Sequence, residues 1–545
     1  MKSAHYQRSN AGVPLGTERK NVAAVASQIA LLLLGVVLYS LSFPSILSDT
    51  GWFPLAFVAL IPLFMVVHRS NWTGIVLYGL LYGFATYSVL NYWLINFHPL
   101  AIFVVPVIYA AYLAAVFPLL KLADTLFPRY GYLLQIAIWL SYEYLRLQGF
   151  LGYAYGISGY SQYLFTPLIQ IASVTGVWGV SLLVVFPSAY LGNALSGGRQ
   201  TLPSFLRAHR TDAVAYGFLF VAALVFGFVS QVDYSSAPRW RVAMVQQNVD
   251  PWRGGLPAYR KSLDILMRQS DSALSENPDI IVWSETSFVP SIQYHARYRS
   301  DPASYELVKE LLEYLGGQQV PFVIGNGDGV LKRNLNGSLE RVDYNAVLLY
   351  DHGDIQRTYR KLRLVPFTEH FPYRGALSWL YRLLVANNTT FWEAGDEYTI
   401  FDAAGVKFAT PICFEDTFGY LSRNFVRHGA QVIVNLTNDS WSYSVPAEMQ
   451  HMAMAVFRTV ENRRSMVRST NGGITTAIDP NGHIMEMFPP FVEGYMVKDV
   501  PVYTATGTVY TSWGNWFAFL ALIVSVGGLI VGIAARLCRR FTGAN

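Results

Sequence analysis

The chain contains the stretch Lys407-Phe408-Ala409-Thr410-Pro411-Ile412-Cys413-Phe414-Glu415-Asp416. Lys407–Thr410 is predicted to be a buried strand, because its apolar pair Phe408-Ala409 opens a mostly apolar run up to Ile412. The run leads into a cysteine followed by two carboxylates, a strand-to-turn placement that presents a nucleophile. A lone cysteine in an apolar run is more often a small core residue. By itself this stretch therefore predicts a strand of an α/β domain and leaves the role of the thiol open.

Similar runs lie on both sides of this stretch and alternate with amphipathic segments. Further strands are predicted at Val242–Gln246, Ile280–Trp283, Phe322–Ile324, Ala346–Tyr350 and Val432–Asn435. Helices are predicted over 258–276 and 447–463, and Asp479-Pro480-Asn481-Gly482 predicts a hairpin turn. In the second helix Met449, Met452, Ala453 and Val456 fall on one face, which predicts packing against a sheet. The pattern indicates an α/β domain.

Two more polar residues accompany strands of this domain. Glu285 follows the run 280–284, and Lys361 lies in the segment 359–367. Taken alone, such a glutamate is often a helix cap or surface group, and such a lysine is usually solvated. Together with Cys413 they supply a nucleophile, a base and a fixed positive charge, which are the requirements of acyl transfer through a thiol. A neighbouring ammonium is expected to lower the pKa of the thiol below its free value of about 8.5.

The composition of the whole chain indicates a membrane protein. Of its 545 residues 52% are hydrophobic and only 14% are charged, against roughly 25% charged in an ordinary soluble protein. Eight stretches are apolar enough to span a bilayer, and the first, which lacks a cleavage site of the usual kind, is expected to be retained. The predicted spans lie near 22–42, 52–68, 73–96, 99–120, 131–147, 166–195, 212–231 and 513–535.

The spans divide the chain into three predicted regions: 1–235 with spans one to seven, 236–508 as a globular domain, and 509–545 with span eight and a tail. Lys and Arg occupy every second junction between spans, while the loops near Asp49 and His98 have none. Basic loops stay on the cytoplasmic side, so both termini are expected there, with the globular domain outside. Cys413 would then be an unpaired thiol in an oxidising compartment, a liability unless the thiol has a use.

Other classes of partner are not supported by the sequence. The net charge of +5 comes from residues scattered over short loops, so no nucleic-acid partner is expected. The chain has two cysteines, Cys413 and Cys538, without metal-ligand spacing, and neither a metal nor a cofactor is expected. Glu143 and Arg146 lie three apart at the outer end of the fifth span, where they could pair with each other or Arg146 could bind a lipid headgroup.

The segments 281–285, 359–369 and 411–415 resemble the Glu-Lys-Cys triad motifs of the nitrilase superfamily. More narrowly, the chain is similar to the apolipoprotein N-acyltransferase family over nearly its full length. The resemblance includes the segments 159–162, 168–170 and 175–180 in the membrane part, and 438–441 and 468–473 in the globular part. It implies an eight-helix transmembrane bundle joined to a nitrilase-like α-β-β-α sandwich.

The resemblance also implies a reaction. Cys413 would attack an ester of a phospholipid, expected to be phosphatidylethanolamine, and form a thioester. The α-amino group of the diacylglyceryl cysteine of an apolipoprotein would then take the acyl chain, the final step of lipoprotein maturation. The enzyme is expected to be a monomer in the cytoplasmic (inner) membrane, with its catalytic domain on the periplasmic face.

The same resemblance implies the roles of individual residues. Glu285 would be the base, and Lys361 with the backbone N–H of Phe414 would stabilise the oxyanion. Two carboxylates, Glu369 and Glu415, would orient the lysine and the cysteine. Substrate contacts are expected from Arg146 and from Trp252, although Trp252 is equally consistent with an aromatic residue packed at the domain surface.

The sequence departs from the family pattern at Ser284, Thr368, Phe414 and Ser442, where the family usually has proline, glycine, tyrosine and phenylalanine. These changes put substrate preference and loop shape in question more than the reaction class. Two alternatives remain at this stage. One is a membrane-anchored amidase or nitrilase-type hydrolase that uses water as acceptor, and the other is a catalytically silent scaffold that keeps the fold as a binding module.

Overall fold

A computed structural model describes residues 15–97, 101–198, 200–250, 253–333, 336–371, 375–386, 391–505 and 507–542. Helices fill the first part of the chain, two six-stranded sheets fill the second, and a long helix ends it. The helices up to residue 229 are α1 Leu15–Leu41, α2 Ala56–Ala59, α3 Ile61–Arg69, α4 Trp72–Leu90, α5 Leu94–Phe97, α6 Ala101–Leu126, α7 Gly131–Leu145, α8 Thr166–Ile169, α9 Ala172–Thr175, α10 Val177–Ser196, α11 Leu202–Ala208 and α12 Arg210–Val229.

Within the described residues, six helices are long and apolar enough to cross a membrane: α1, α4, α6, α10, α12 and α20 (Trp516–Thr542). The prediction of a membrane protein is confirmed, but the count of eight full-length spans is not. The second predicted span is the shorter apolar segment Phe53–Arg69, and the fifth is α7, 15 residues long. The sixth begins only at Val177, because Gly176 has φ +65° and separates α9 from α10.

The strands form two sheets of six. One sheet has the order β12-β1-β2-β3-β4-β5, and the other has the order β11-β10-β9-β8-β7-β6. The strands are β1 Arg239–Gln246, β2 Ile280–Trp283, β3 Phe322–Arg333, β4 Leu339–Asp351, β5 Asp354–Arg360, β6 Phe401–Ala403, β7 Val406–Ala409, β8 Val432–Thr437, β9 Ser465–Thr470, β10 Thr475–Ile478, β11 Ile484–Phe488 and β12 Gly494–Pro501. The predicted hairpin at 479–482 joins the antiparallel pair β10 and β11.

The side chains of β1 show how the layers are stacked. Val242 and Met244 belong to the large core that includes residues of both sheets, whereas Ala243 and Val245 belong to a second core with helix residues. This alternation follows from the two-residue period of a strand. Helices cover the outer faces, so the predicted α-β-β-α sandwich is confirmed. The helices of this part are α13 Gly255–Leu274, α14 Ile292–Tyr298, α15 Pro302–Gly316, α16 Ser378–Ala386, α17 Gly419–Arg427, α18 Val445–Asn462 and α19 Val509–Trp513.

The helix α18 joins the sandwich to the membrane helices. Every residue from Pro446 to Asn462 is buried, which the prediction of a single apolar face did not anticipate. The face opposite the sheet contacts the membrane part: the Gln450 side chain donates to the carbonyls of Pro44 and Leu90, and Phe457 packs edge-on against Tyr160. The sandwich therefore rests directly on the helical bundle.

Candidate active site

Three strands deliver the predicted reactive residues to one edge of the sandwich. Glu285 lies two residues beyond β2, Lys361 directly follows β5, and Cys413 begins a 3₁₀ turn, Cys413–Thr417, four residues beyond β7. Lys361 is held through its backbone, because its N–H donates to the Asn345 carbonyl at 2.8 Å and its carbonyl accepts from Gly395 N–H at 2.8 Å. The side chain is thereby fixed with no exposed surface.

Lys361 contacts two carboxylates. Its Nζ lies 3.2 Å from Glu285 Oε1 and 2.9 Å from Glu369 Oε1. The Asn345 amide donates to the same two oxygens, at 2.7 Å and 3.1 Å. Burial disfavours the ammonium, but the two carboxylates outweigh it and raise the pKa of Lys361 well above its ordinary value. A permanent positive charge therefore lies at the base of the site.

Glu285 is oriented by contacts on both of its carboxylate oxygens. Its second oxygen, Oε2, accepts the Asn438 backbone N–H at 2.9 Å, so the ring of donors leaves the carboxylate little freedom to turn. Burial raises the pKa of Glu285 above its ordinary value, although the Lys361 charge works against the shift. A carboxylate whose pKa is raised toward neutrality is a stronger base, because proton transfer works best when the pKa lies near the working pH.

Cys413 adopts a backbone conformation that places its side chain apart from its neighbours. Its φ is +52°, the left-handed region that non-glycine residues seldom occupy. The turn is supported by the Asn435 amide, which donates to the carbonyls of Pro411 and Cys413 at 3.1 Å and 3.0 Å. The side chain is partly exposed. A strained residue held this firmly is typical of a catalytic nucleophile.

The pKa of the thiol differs from the sequence-based expectation. Burial and the Glu285 carboxylate raise the pKa of Cys413 well above its ordinary value, and the opposing effect of Lys361 is smaller. The expectation of a lowered thiol pKa was therefore wrong, because it counted the ammonium and left out desolvation. A raised pKa favours the protonated thiol, so a reaction at this sulfur would need a base to take its proton.

Glu415 joins the nucleophile turn to the lysine segment. Its Oε1 accepts the N–H groups of Leu362 and Arg363 at 2.8 Å and 2.9 Å. Its Oε2 accepts the Ile412 N–H at 2.7 Å and the Tyr359 hydroxyl at 2.8 Å. Burial raises the pKa of Glu415 to about 7 even though these donors favour the carboxylate. One side chain thus binds both the segment that carries Cys413 and the segment that carries Lys361.

Both parts of the chain match known protein families. Residues 35–190 match the family model described as apolipoprotein N-acyltransferase N-terminal domain, and residues 241–509 match the model described as carbon-nitrogen hydrolase. Apolipoprotein N-acyltransferase 1 of Treponema denticola is 42% identical over 530 residues, which cover 94% of this chain and 97% of the relative. The chain belongs to the apolipoprotein N-acyltransferase family. The protein of the same name from Treponema pallidum is also 42% identical, over 533 residues with the same coverage of both chains.

Among solved structures, an amidase from Nesterenkonia sp. is similar to this N-acyltransferase family member with a TM-score of 0.35 and 18% identity. The match covers 49% of this chain and 91% of the amidase.

The remaining predicted site residues of this N-acyltransferase family member are Phe414, Trp252, Glu369 and Arg146. The Phe414 ring lies 5.5 Å from Lys361 Nζ, close enough for a cation–π contact. Trp252 falls outside the described residues. Glu369 is tied to the lysine segment, since its Oε2 accepts the Val365 N–H at 2.7 Å.

Arg146 is 3% exposed, and its guanidinium donates to the Tyr87 hydroxyl and to the carbonyls of Ala154 and Tyr155. A lipid headgroup would reach it only after these contacts rearranged. Glu143 does not pair with Arg146 in this structure. Its Oε1 accepts instead from Trp139 and Ser158.

Three asparagines that the sequence did not predict as site residues contact the site. Asn345 donates to both carboxylates beside Lys361, Asn435 supports the cysteine turn, and Asn438 donates its N–H to Glu285. Asn345 and Asn435 lie within strands, where an amide carries no signal that separates a site residue from an ordinary buried polar group. Of the three, only Asn438 lies in a segment that carries the family resemblance, 438–441.

Proposed function

We propose that this chain transfers an acyl chain from a membrane phospholipid, through a thioester on Cys413, to the N-terminal amine of a diacylglyceryl apolipoprotein. This would be the final step of lipoprotein maturation. The observation that carries the proposal is the contact of the Lys361 ammonium with the Glu285 carboxylate beside a strained, partly exposed cysteine, in a chain with helices long and apolar enough to cross a membrane. Membership of the N-acyltransferase family supports acyl transfer.

In the first half-reaction, the Cys413 sulfur attacks the carbonyl carbon of a phospholipid ester. Because the pKa of the thiol is raised, Glu285 accepts the S–H proton as the S–C bond forms. The ester C–O bond then breaks, and the leaving oxygen of the lysophospholipid takes the proton from Glu285. The acyl chain remains on sulfur, and the carboxylate is restored. No group outside the chain is needed to balance the step.

In the second half-reaction, the α-amine of the apolipoprotein attacks the thioester carbon. Glu285 accepts a proton from the nitrogen as the N–C bond forms, and it returns this proton to sulfur as the C–S bond breaks. Each half-reaction passes through a tetrahedral oxyanion. We propose that the Lys361 ammonium and the Phe414 N–H stabilise it, while Glu369 and Glu415 hold the lysine and the cysteine turn in place.

The lipid chemistry agrees with the position of the sandwich on the bundle. Each CH₂ of an acyl chain costs about 0.8 kcal/mol to transfer into water, so a site at bilayer level avoids a large penalty. We propose that phosphatidylethanolamine is the donor and that the enzyme is a monomer in the cytoplasmic membrane, with the catalytic domain on the periplasmic face and both termini in the cytoplasm.

The exposed Cys538 near the C-terminal end of α20 allows the orientation to be tested. A membrane-impermeant maleimide applied to intact spheroplasts should leave Cys538 unlabelled until the membrane is opened. Labelling from outside would reverse the proposed topology. The measurement is made by peptide mapping, so that modification of Cys413 is scored separately.

Intact-mass analysis tests the thioester directly. Purified enzyme incubated with phosphatidylethanolamine should gain one acyl mass, which hydroxylamine removes. The adduct should be absent from Cys413→Ser and should persist in the matched control Cys538→Ser, which alters the second cysteine of the chain. A wild type that stays unmodified, or an adduct that survives in Cys413→Ser, would contradict the proposal.

The acceptor distinguishes the transferase from a hydrolase with the same three residues. A diacylated lipopeptide added to the acyl-enzyme should become N-acylated as the adduct disappears. Release of free fatty acid at the same rate with and without the lipopeptide would instead indicate a membrane-anchored hydrolase.

A further inference from the structure

Four charged side chains meet behind the nucleophile turn, outside the groups used in the proposed reaction. They are Asp416, Asp439, His451 and Arg468, and we call them the His451 cluster. Each comes from a different element: the turn 413–417, the loop after β8, the helix α18 and the strand β9. All four are buried. Such a concentration of buried charge requires a physical explanation.

The histidine lies between the two aspartates. His451 Nδ1 is 2.8 Å from Asp439 Oδ2, and His451 Nε2 is 2.9 Å from Asp416 Oδ1. Arg468 Nη1 donates to the other oxygen of Asp416 at 2.6 Å, and its Nη2 lies 3.8 Å from Asp439 Oδ2. Both ring nitrogens therefore face a carboxylate oxygen.

This geometry determines the protonation state of the ring. An ionised carboxylate only accepts hydrogen bonds, so a ring with a carboxylate at each nitrogen must donate from both and is an imidazolium. Burial opposes the charge, but Asp439 and Asp416 outweigh it and raise the pKa of His451 to about 9. With two carboxylates, one imidazolium and one guanidinium, the cluster is neutral.

The cluster is connected to both reacting groups. Asp416 lies in the same five-residue turn as Cys413. Asp439 directly follows Asn438, whose N–H donates to Glu285 Oε2 at 2.9 Å. His451 thus bridges the turn that carries the nucleophile and the loop that orients the base. Asp439 is also close enough to influence the Cys413 thiol electrostatically.

We propose that His451 is a positioning residue for acyl-enzyme formation, which clamps the Cys413 turn to the loop whose N–H orients Glu285. The inference rests on the proposed function. It does not require His451 to touch the substrate, because the ring acts through Asp416 and Asp439. It assigns the cluster a task in the reaction beyond holding the fold together.

Stability alone is a poor reason for such a cluster. Replacing a buried ion pair with well-packed apolar groups is often neutral or stabilising, whereas removing one partner is costly. Elsewhere on α18, apolar residues such as Val460 fill fully buried positions. A charged residue at position 451 is explained if the distance between the Cys413 turn and the loop that orients Glu285 must be held within narrow limits. Small displacements of a reacting group cause large losses of rate.

The test measures acyl-enzyme formation from phosphatidylethanolamine in single-turnover experiments on the full-length enzyme. His451→Gln, which cannot donate to both aspartates, should slow acylation by about 10- to 100-fold, because a misplacement of reacting groups by about 1 Å can cost about 100-fold in rate. The matched control Val460→Ala changes another buried residue of the same helix and should stay within about twofold of wild type. Wild type that forms no acyl-enzyme would refute the proposed function itself, whereas a folded His451→Gln with wild-type rate would refute this inference alone.

The reactivity of Cys413 separates positioning from simple unfolding. In a Cys538→Ser background, iodoacetamide alkylation reports on Cys413 alone. Loss of the imidazolium leaves Asp439 less compensated near the thiol, so alkylation of His451→Gln should be slower than in the parent at each pH. Faster alkylation together with lost acylation would indicate an opened fold and would overturn the proposal.

The pH dependence of acylation by the wild-type enzyme tests the proposal without a histidine variant. The charged groups around His451 are Asp416, Asp439 and Arg468, and the Tyr155 ring lies beside it. Glu448 interacts with Asp439 and Arg468. Acylation by wild type should fall as pH rises through about 9, because the neutral ring loses one donor.

In Asp439→Asn, which removes one counter-charge, the fall should move down by about one unit or more. Wild type that keeps its full rate to about pH 10, roughly one unit above this limb, would overturn the proposal even if the variants failed to fold.

Discussion

The substitution Glu415→Gln tests the coupling between the nucleophile turn and the lysine segment. Glu415 accepts from four donors, two on each carboxylate oxygen. A glutamine has one acceptor oxygen and one amide nitrogen that only donates. With the nitrogen facing Leu362 and Arg363, two of the four hydrogen bonds are lost. With the nitrogen facing Ile412 and Tyr359, only the Ile412 N–H is left without an acceptor, because the Tyr359 hydroxyl can accept from the amide. In both orientations the remaining hydrogen bonds no longer involve a charged group.

The expected magnitude follows from this count. A hydrogen bond to a charged group contributes about 1.5–3 kcal/mol and a neutral one about 0.5–1.5 kcal/mol. The loss of one bond and the weakening of the other three therefore correspond to at least about 3 kcal/mol, shared between folding and the placement of Cys413 relative to Lys361. If about 2.7 kcal/mol of this falls on the transition state, acylation slows about 100-fold. We therefore expect Glu415→Gln to form the acyl-enzyme at least about 100-fold more slowly and to melt at a lower temperature.

The assay follows the acyl mass on Cys413 after rapid mixing with phosphatidylethanolamine, with the melting curve recorded on the same preparation. Glu486→Gln is the matched control, because it makes the same change in a surface pair, 2.8 Å from Lys498, with the Glu486 side chain 49% exposed. Surface pairs contribute little, so the control should behave like wild type. A Glu415→Gln enzyme within fivefold of the wild-type rate, a loss of only about 1 kcal/mol, would refute the reasoning.

Two further predictions concern the base. A Cβ on Gly325 would lie 2.2 Å from the Ser284 carbonyl oxygen and 2.7 Å from Glu285 Cα, so Gly325→Ala should displace Glu285 and reduce the acylation rate at least about 10-fold. Gly327→Ala in the same strand, where the Cβ meets nothing within 4 Å, should leave the rate unchanged. Equal rates for the two variants would contradict the placement of Glu285. The acylation rate should also decrease as the pH is lowered, with a midpoint above pH 4.5. Burial raises the pKa of Glu285 above 4.5 and that of Glu415 to about 7. Both groups act as carboxylates, which are lost as the pH drops through these values. Single-turnover rates measured between about pH 4.5 and 8, a range that brackets the ordinary and the raised pKa values, test this prediction. A midpoint at or below pH 4.5 would contradict it.

Local sequence was enough to predict several elements of the sandwich. The strand Ile280–Trp283 was predicted with the bounds that the structure has, because four consecutive apolar residues between polar ones have few alternatives. The strand β9 was missed although all its residues are buried. An arginine such as Arg468 is usually a surface residue, and its burial here is possible because the carboxylates of Asp416, at 2.6 Å, and Asp439, at 3.8 Å, compensate its charge.

Apolar runs and residue types are local properties of the chain, so the α/β class, the membrane character and a candidate thiol, carboxylate and ammonium could be predicted from sequence. Which groups touch and which charges they carry depends on the folded arrangement. Asn345 joins Glu285 to Glu369 across 60 and 24 residues, and the thiol of Cys413 has a raised pKa because of burial that no local pattern reveals. Electrostatic energies depend on distance and desolvation in three dimensions, and both arise only when the chain has folded.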